Sequence, residues 1–219
     1  MKQTQGSWPA TVAEARAVQE KLRARVVTRD RIGRVRTVAG IDVGYEGDNS
    51  LARAAAVVLA FPSLELVEEA VVRVPVKFPY VPGYLSFREV PAALAVLAKL
   101  EHQPDLILCD GQGRAHPRRF GLACHLGVLL DIPTIGVAKS RLIGEPRGRL
   151  GHTKGSWVPL VDHHEVIGAI VRTRTGVKPL YVSIGHRVSL ETAIEYVLRC
   201  TTKYRLPETT RAAHRLASG

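Results

Sequence analysis

No run of apolar residues in this sequence approaches the roughly 20 needed to span a bilayer, and the N-terminal stretch Met1–Gly6 has no apolar signal core, so neither membrane insertion nor secretion is expected. Cysteine is equally scarce. Cys109, Cys124 and Cys200 are odd in number and widely spaced, which excludes a disulfide framework and points to a reducing compartment, the cytoplasm. Acidic side chains are in deficit: 20 Asp and Glu against 31 Lys and Arg give a net charge of +11. That balance disfavours an acidic scaffold or a typical small-metabolite enzyme and favours a polyanionic partner, nucleic acid first and an anionic membrane second. Several catalytic signatures are also missing. Gly136-Val137-Ala138-Lys139-Ser140 has the tail of a phosphate-binding P-loop, but Ala138 stands where glycine must precede the lysine, so ATP is not implied. His163-His164 and the cysteines lack zinc-site spacing, and no Gly-x-Ser-x-Gly elbow marks a serine hydrolase. Repeats and low-complexity tracts are absent too.

What remains is an ordinary globular composition, 46% hydrophobic and 23% charged, over 219 residues, enough for a single domain spanning 1–219. Charge is segregated along it. Residues 1–36 carry nine basic and three acidic side chains, 37–110 five and ten, and 111–155 eight and two. A central acidic segment between basic ones could hold a cation.

The spacing Ala15, Val18, Leu22, Val26 predicts a helix to about Val27, opened by a Thr11-x-x-Glu14 capping box. Three β-rich stretches near 36–45, 52–61 and 65–74, joined by short turns, predict an antiparallel meander. Ser86-x-x-Glu89 has the form of a second capping box opening a helix through Leu100, with Pro91 close enough to distort its first turn. A strand over 105–109, a helix over 118–130 and a strand over 134–137 then form a β-α-β unit. Strands near 156–161, 165–173 and 180–184, a helix over 189–199 and a last helix from Pro207 complete an α/β domain with a mixed sheet, antiparallel first and then parallel.

Asp42 and Asp110 each end a buried strand, and two such carboxylates would suit a hard cation such as Mg²⁺. Read locally, each is better explained as the start of a turn, since Asp is common turn chemistry. Glu89 reads locally as a helix cap, His214 as a surface histidine and Lys139 as a solvated lysine.

Four segments taken in order change that reading. Gly40-Ile41-Asp42-Val43, the run Pro79 to Glu89, Asp110-Gly111-Gln112-Gly113 with His116-Pro117-Arg118, and Ile132 to Ser140 resemble the signature segments of the endonuclease V family over nearly the whole chain. The resemblance implies a ribonuclease H-like fold and a monomer that hydrolyses the second phosphodiester bond 3′ to deoxyinosine, in single- or double-stranded DNA. Mg²⁺ is the implied cofactor, with Mn²⁺ able to substitute. It further implies that Asp42 and Asp110 hold the cation, that Glu89 completes the acidic site directly or through water, that His214 positions or deprotonates the attacking water, and that Lys139 neutralises a phosphate. Pro79, Tyr80, Val81 and Pro82 would form a wedge, and main-chain groups around Gly83, Leu85, Gly111 and Leu122 the pocket for the flipped base. Arg114-Ala115 and Cys124 depart slightly from the pattern. Inosine in RNA is an alternative substrate, and non-cleaving nucleic-acid binding a third reading.

Overall fold

The strand β1 (Thr37–Glu46) sits near the middle of the molecule because both its faces are covered. Val38 on one side, and Ala39 and Ile41 on the other, are almost wholly buried, which is how a strand between two helical layers reads. A computed structural model describes residues 8–219, so the N-terminal stretch Met1–Gly6 lies outside the described residues. β1 pairs antiparallel with β2 (Leu51–Ala60), and β2 with β3 (Leu66–Pro75), as the short turns predict. On its other side β1 runs parallel to β4 (Leu106–Cys109), and β4 to β5 (Thr134–Ala138). After β5 the sheet turns antiparallel again through β9 (Leu180–His186), β8 (Glu165–Val171), β7 (Trp157–Asp162) and the two-residue β6 (Glu145–Pro146). The order is β3-β2-β1-β4-β5-β9-β8-β7-β6. The sheet is mixed as expected, its parallel part is confined to three strands, and β6 was not foreseen.

Helices α2 (Leu85–Leu97) and α3 (Leu122–Leu130) cover the face that carries Ala39, Ile41, Ile107 and Cys109. The opposite face, with Val38, Leu106, Leu108 and Ile135, packs against α4 (Leu190–Arg199) and α5 (Glu208–Ser218). No helix among the described residues is long and apolar enough to cross a membrane.

Thr11 and Glu14 do form the reciprocal capping box of α1 (Val12–Arg23). That helix stops short of Val27 because Val27 and Arg31 leave it to bond the main chain and side chain at the end of β9. The second expected box does not form. α2 starts at Leu85 after Tyr84, with no side-chain cap; Ser86 contacts His125 Nδ1 at 3.1 Å, and Glu89 turns inward. Pro91 sits in the middle of α2 rather than in its first turn. It removes the amide that would have bonded the Phe87 carbonyl, and the Trp8 indole N–H donates to that carbonyl instead, at 2.8 Å. α3 begins at Leu122 rather than near 118, because residues 116–119 form a turn in which Arg119 has a φ of 56°.

Candidate active site

All the parallel strands end at one edge of the sheet, and the chemistry-bearing side chains gather there, Asp110 and Lys139 just past the carboxyl ends of β4 and β5, and Asp42 inside β1, level with the end of β4 rather than at the end of its own strand as expected. Alternation along β1 puts Gly40, Asp42 and Gly44 on one face. The glycines let α5 lie against that face: a Cβ at Gly40 would come within 2.1 Å of the Thr209 carbonyl oxygen, and one at Gly44 within 2.5 Å of that of Ala217. Between those two contacts His214 meets Asp42. Its Nδ1 lies 2.6 Å from Asp42 Oδ2, while the Val43 amide donates to the other carboxylate oxygen.

Asp110 follows the last residue of β4, and its amide donates to the Ile41 carbonyl, so it enters the site beside Asp42. The Lys139 ammonium, just past β5, lies 2.5 Å from Asp110 Oδ2. That contact is ionic rather than directional, since the same oxygen is buried without a donor in hydrogen-bond geometry. Burial pushes the Asp110 carboxyl above the usual carboxylate range, and the pairing with Lys139 opposes the rise.

Glu89 reaches the same place from α2, on the other side of the sheet. It is 8% exposed, and its nearest donor is the Tyr45 hydroxyl at 3.4 Å. Burial, followed by repulsion from Asp42 and Asp110, raises its pKa to about 8. A carboxyl so displaced is a group waiting for a counter-charge. Asp42, Asp110 and His214 each offer one donor atom, all within 4.8 Å of one another. Two convergent carboxylates, an imidazole and a third buried carboxyl alongside fit a divalent cation.

Around this cluster, Tyr80, Leu85, Tyr45, Arg88 and Glu89 line, with Asp48 and Asn49, a cleft of about 610 Å³. Tyr80 is 70% exposed, so it does not serve as core packing. Pro79 and Pro82 beside it are exposed and Val81 is half-buried. Gly83 has a φ of 81°, a conformation that favours glycine, and its carbonyl accepts from His116 Nε2, Arg118 Nη2 and Gln19 Nε2. Gly111 and Leu122 are neighbours, a Cβ on the first falling 3.3 Å from Leu122 Cδ2. Tyr45, Arg88 and Gln19 were given no part by the sequence reading. Gln19 could have been noticed as the polar residue on the apolar stripe of α1, where it is wholly buried; Tyr45 carried no signal.

A mixed sheet that sets a carboxylate inside β1 beside one just past β4, with helices on both faces, defines a ribonuclease H-like nuclease. Residues 20–215 match the family model of Endonuclease V. The chain is 61% identical over 212 residues to the Endonuclease V of Trichormus variabilis, covering 96% of each chain. Its fold superimposes on the crystal structure of the Streptomyces avermitilis Endonuclease V with a TM-score of 0.92 at 49% identity, over 97% of this chain and 93% of that one. A Ciona intestinalis Endonuclease V, solved in complex with a 24mer DNA containing an inosine followed by a ribo-adenosine, gives 0.81 at 33% identity, over 94% and 96%. This chain belongs to the Endonuclease V family.

Proposed function

We propose that this protein is a DNA repair endonuclease for deaminated adenine, which hydrolyses the second phosphodiester bond 3′ to deoxyinosine and leaves 3′-hydroxyl and 5′-phosphate ends. The observation that carries the reading is the meeting of Asp42, Asp110 and His214 at one sheet edge, with Lys139 and Glu89 beside them. Asp42, Asp110 and Glu89 would hold the cation, Mg²⁺ or Mn²⁺ in its place. Such an ion supplies neutralisation of charge building on the scissile phosphate and a lowered pKa for water.

The side chains do the rest. With Nδ1 on Asp42, His214 keeps Nε2 for a second partner, and its half-exposed ring can accept a proton from water attacking the phosphate. Lys139, 37% exposed, can turn from Asp110 towards a phosphate oxygen. Tyr45 orients the Glu89 carboxyl through its hydroxyl. Tyr80, held between Pro79 and Pro82, fills the gap left by a flipped base, and main-chain groups near Gly83, Leu85, Gly111 and Leu122 read that base. Three free, buried cysteines suit work in the cytoplasm.

The test is a 5′-labelled strand with one deoxyinosine and a matched strand with deoxyadenosine, each incubated with Mg²⁺ and with chelator. Cutting confined to the first strand, one fragment length and no product in chelator are expected; equal cutting of both strands refutes the lesion reading. Tyr80→Ala should weaken inosine-specific binding by roughly fivefold or more while non-specific binding holds, the loss of one stacked base. An unchanged ratio of the two affinities removes the wedge.

Inosine in RNA is the second reading, and the ribo-adenosine in the Ciona complex is what favours it. Identical strands carrying deoxyinosine or inosine, compared by kcat/KM, decide the preferred sugar.

A further inference from the structure

Ten lysine and arginine side chains pair with a carboxylate among the described residues. Arg119 pairs with Asp162 and Glu165, Arg187 with Asp131, Arg211 with Glu208. One region stands out because acidic residues are missing from long stretches of it. Residues 146–161, 166–190 and 196–207 contain no Asp or Glu. Lys154, Arg172, Arg174, Lys178, Lys203 and Arg205 make no salt bridge among the described residues.

Topology puts these residues on one surface. β9 runs antiparallel to β5, β8 to β9 and β7 to β8, so the loops 139–156 and 172–179 emerge at the same sheet edge as Asp42 and Asp110. Hydrogen bonds tie them together. Arg205 Nη2 donates to the carbonyls of Lys139, at 2.8 Å, and Pro179, at 2.7 Å. The Thr173 hydroxyl donates to the Arg205 carbonyl, and Lys154 Nζ to that of Thr201 at 2.8 Å. Tyr204 stands between Lys203 and Arg205, 45% exposed, with the Arg211 guanidinium 4.5 Å from its ring centre. Its carboxylates, Glu145 and Glu208, are each paired with an arginine, Arg141 and Arg211, and a basic surface with an exposed aromatic is the chemistry that follows a nucleic-acid backbone.

The strand order also gives a direction. Along the edge come the Tyr80 loop after β3, the carboxylates of β1 and β4, Lys139 of β5, and then the basic loops of β9, β8 and β7. If the lesion sits by Tyr80 and the cut lies 3′ of it over the carboxylates, the strand beyond the cut runs over the basic loops. We infer that this surface is the track for the nucleic-acid strand on the 3′ side of the cut, an inference that rests on the function proposed above. Three strand spacings of about 4.8 Å from β5 to β7 give it a length of about 14 Å, or about four nucleotides at 3.4 Å each.

The experiment pairs the wild type with the triple variant Arg174→Gln, Lys178→Gln, Lys203→Gln, whose side chains are exposed and make no hydrogen bond among the described residues. Binding is measured by anisotropy in chelator on three single strands with one deoxyinosine: twelve nucleotides on both sides of the cut site, a 3′ arm shortened to one, or a 5′ arm shortened to the lesion. The triple variant should lower the slope of log affinity against log salt by about 2 on the strands with a long 3′ arm, at roughly 0.7 per lost contact, and leave the short-3′-arm strand unchanged. Tyr204→Ala should weaken binding of the long-3′-arm strands by about fivefold or more. An equal loss on all three strands, or a loss that follows the 5′ arm, overturns the track. Cutting by the wild type in Mg²⁺ is scored separately, so failure of the proposed activity shows as an uncut inosine strand whatever the binding slopes.

Discussion

At the scale of single residues, the site turns on charges that repel one another. Asp42, Asp110 and Glu89 converge, and Lys139, His214, Arg88, the Val43 amide and the Tyr45 hydroxyl offset them in part. Asp42→Asn and Asp110→Asn should therefore cut deoxyinosine strands at least about 10²-fold more slowly, while circular dichroism and DNA affinity stay near wild type. Glu89 gives a sharper test through pH. Its folded pKa is about 8 against an ordinary value near 4.5, so the folded, cation-free protein keeps a proton that the unfolded chain loses. Stability from this group is complete below about pH 4.5 and is lost as pH rises through about 8. In chelator, the melting temperature of the wild type should thus fall relative to Glu89→Gln between pH 5 and 8, and Mg²⁺ should restore the wild type but not the variant. Parallel melting curves across that range would mean that Glu89 is not held as a buried acid. This role was hard to read locally, because Ser86-x-x-Glu89 looks like a cap. The better signal was Glu89 in an otherwise apolar stripe with Val90, Ala93 and Val96, a place where an acid has no structural reason to be.

Among the elements, α5 is the one whose position decides the chemistry. Thr209 and Ala217 sit one at each end of its contact with β1, over Gly40 and Gly44, and His214 projects between them onto Asp42. Gly40→Ala would drive a methyl into the Thr209 main chain, which has no flexible end to move aside. Overpacking of this kind costs about 1–3 kcal/mol or more, and here it also lifts the helix that carries His214. The variant should melt several degrees lower and lose turnover well beyond what the lower stability explains at 25 °C; a lowered melting point with unchanged kcat would show that α5 re-docks with His214 in place. The alternation Gly40, Asp42, Gly44 was present in the sequence, as were the meander and the β-α-β unit, since these rest on period and turn chemistry. The helix packed on those glycines lies about 170 residues away, and nothing in a local window announces so distant a partner. The return to antiparallel pairing after β5 was hidden for a similar reason: strand existence follows from local pattern, strand direction from the connections.

For the whole molecule, the net charge of +11 conceals two basic regions with different positions. One adjoins the carboxylates. The other, residues 23–36, lies at the opposite edge of the sheet, where Arg36 bonds Asp105 at the start of β4 and Arg31 bonds the main chain beyond β9. Asp42 stands five residues along β1 from Thr37, about 17 Å at 3.4 Å per residue. The Debye length is about 8 Å at 0.15 M salt and about 30 Å at 0.01 M. Arg29 and Arg34 are exposed and make no salt bridge among the described residues, so at the higher salt their field is screened before it reaches the site, and at the lower it is not. Replacing both by serine should leave kcat/KM for a deoxyinosine strand within twofold at 0.15 M, yet slow association measurably at 0.01 M in stopped-flow anisotropy, with dissociation unchanged. A loss of the same size at both salt concentrations would mean that this edge touches the nucleic acid directly, which would require the strand to wrap from one side of the sheet to the other.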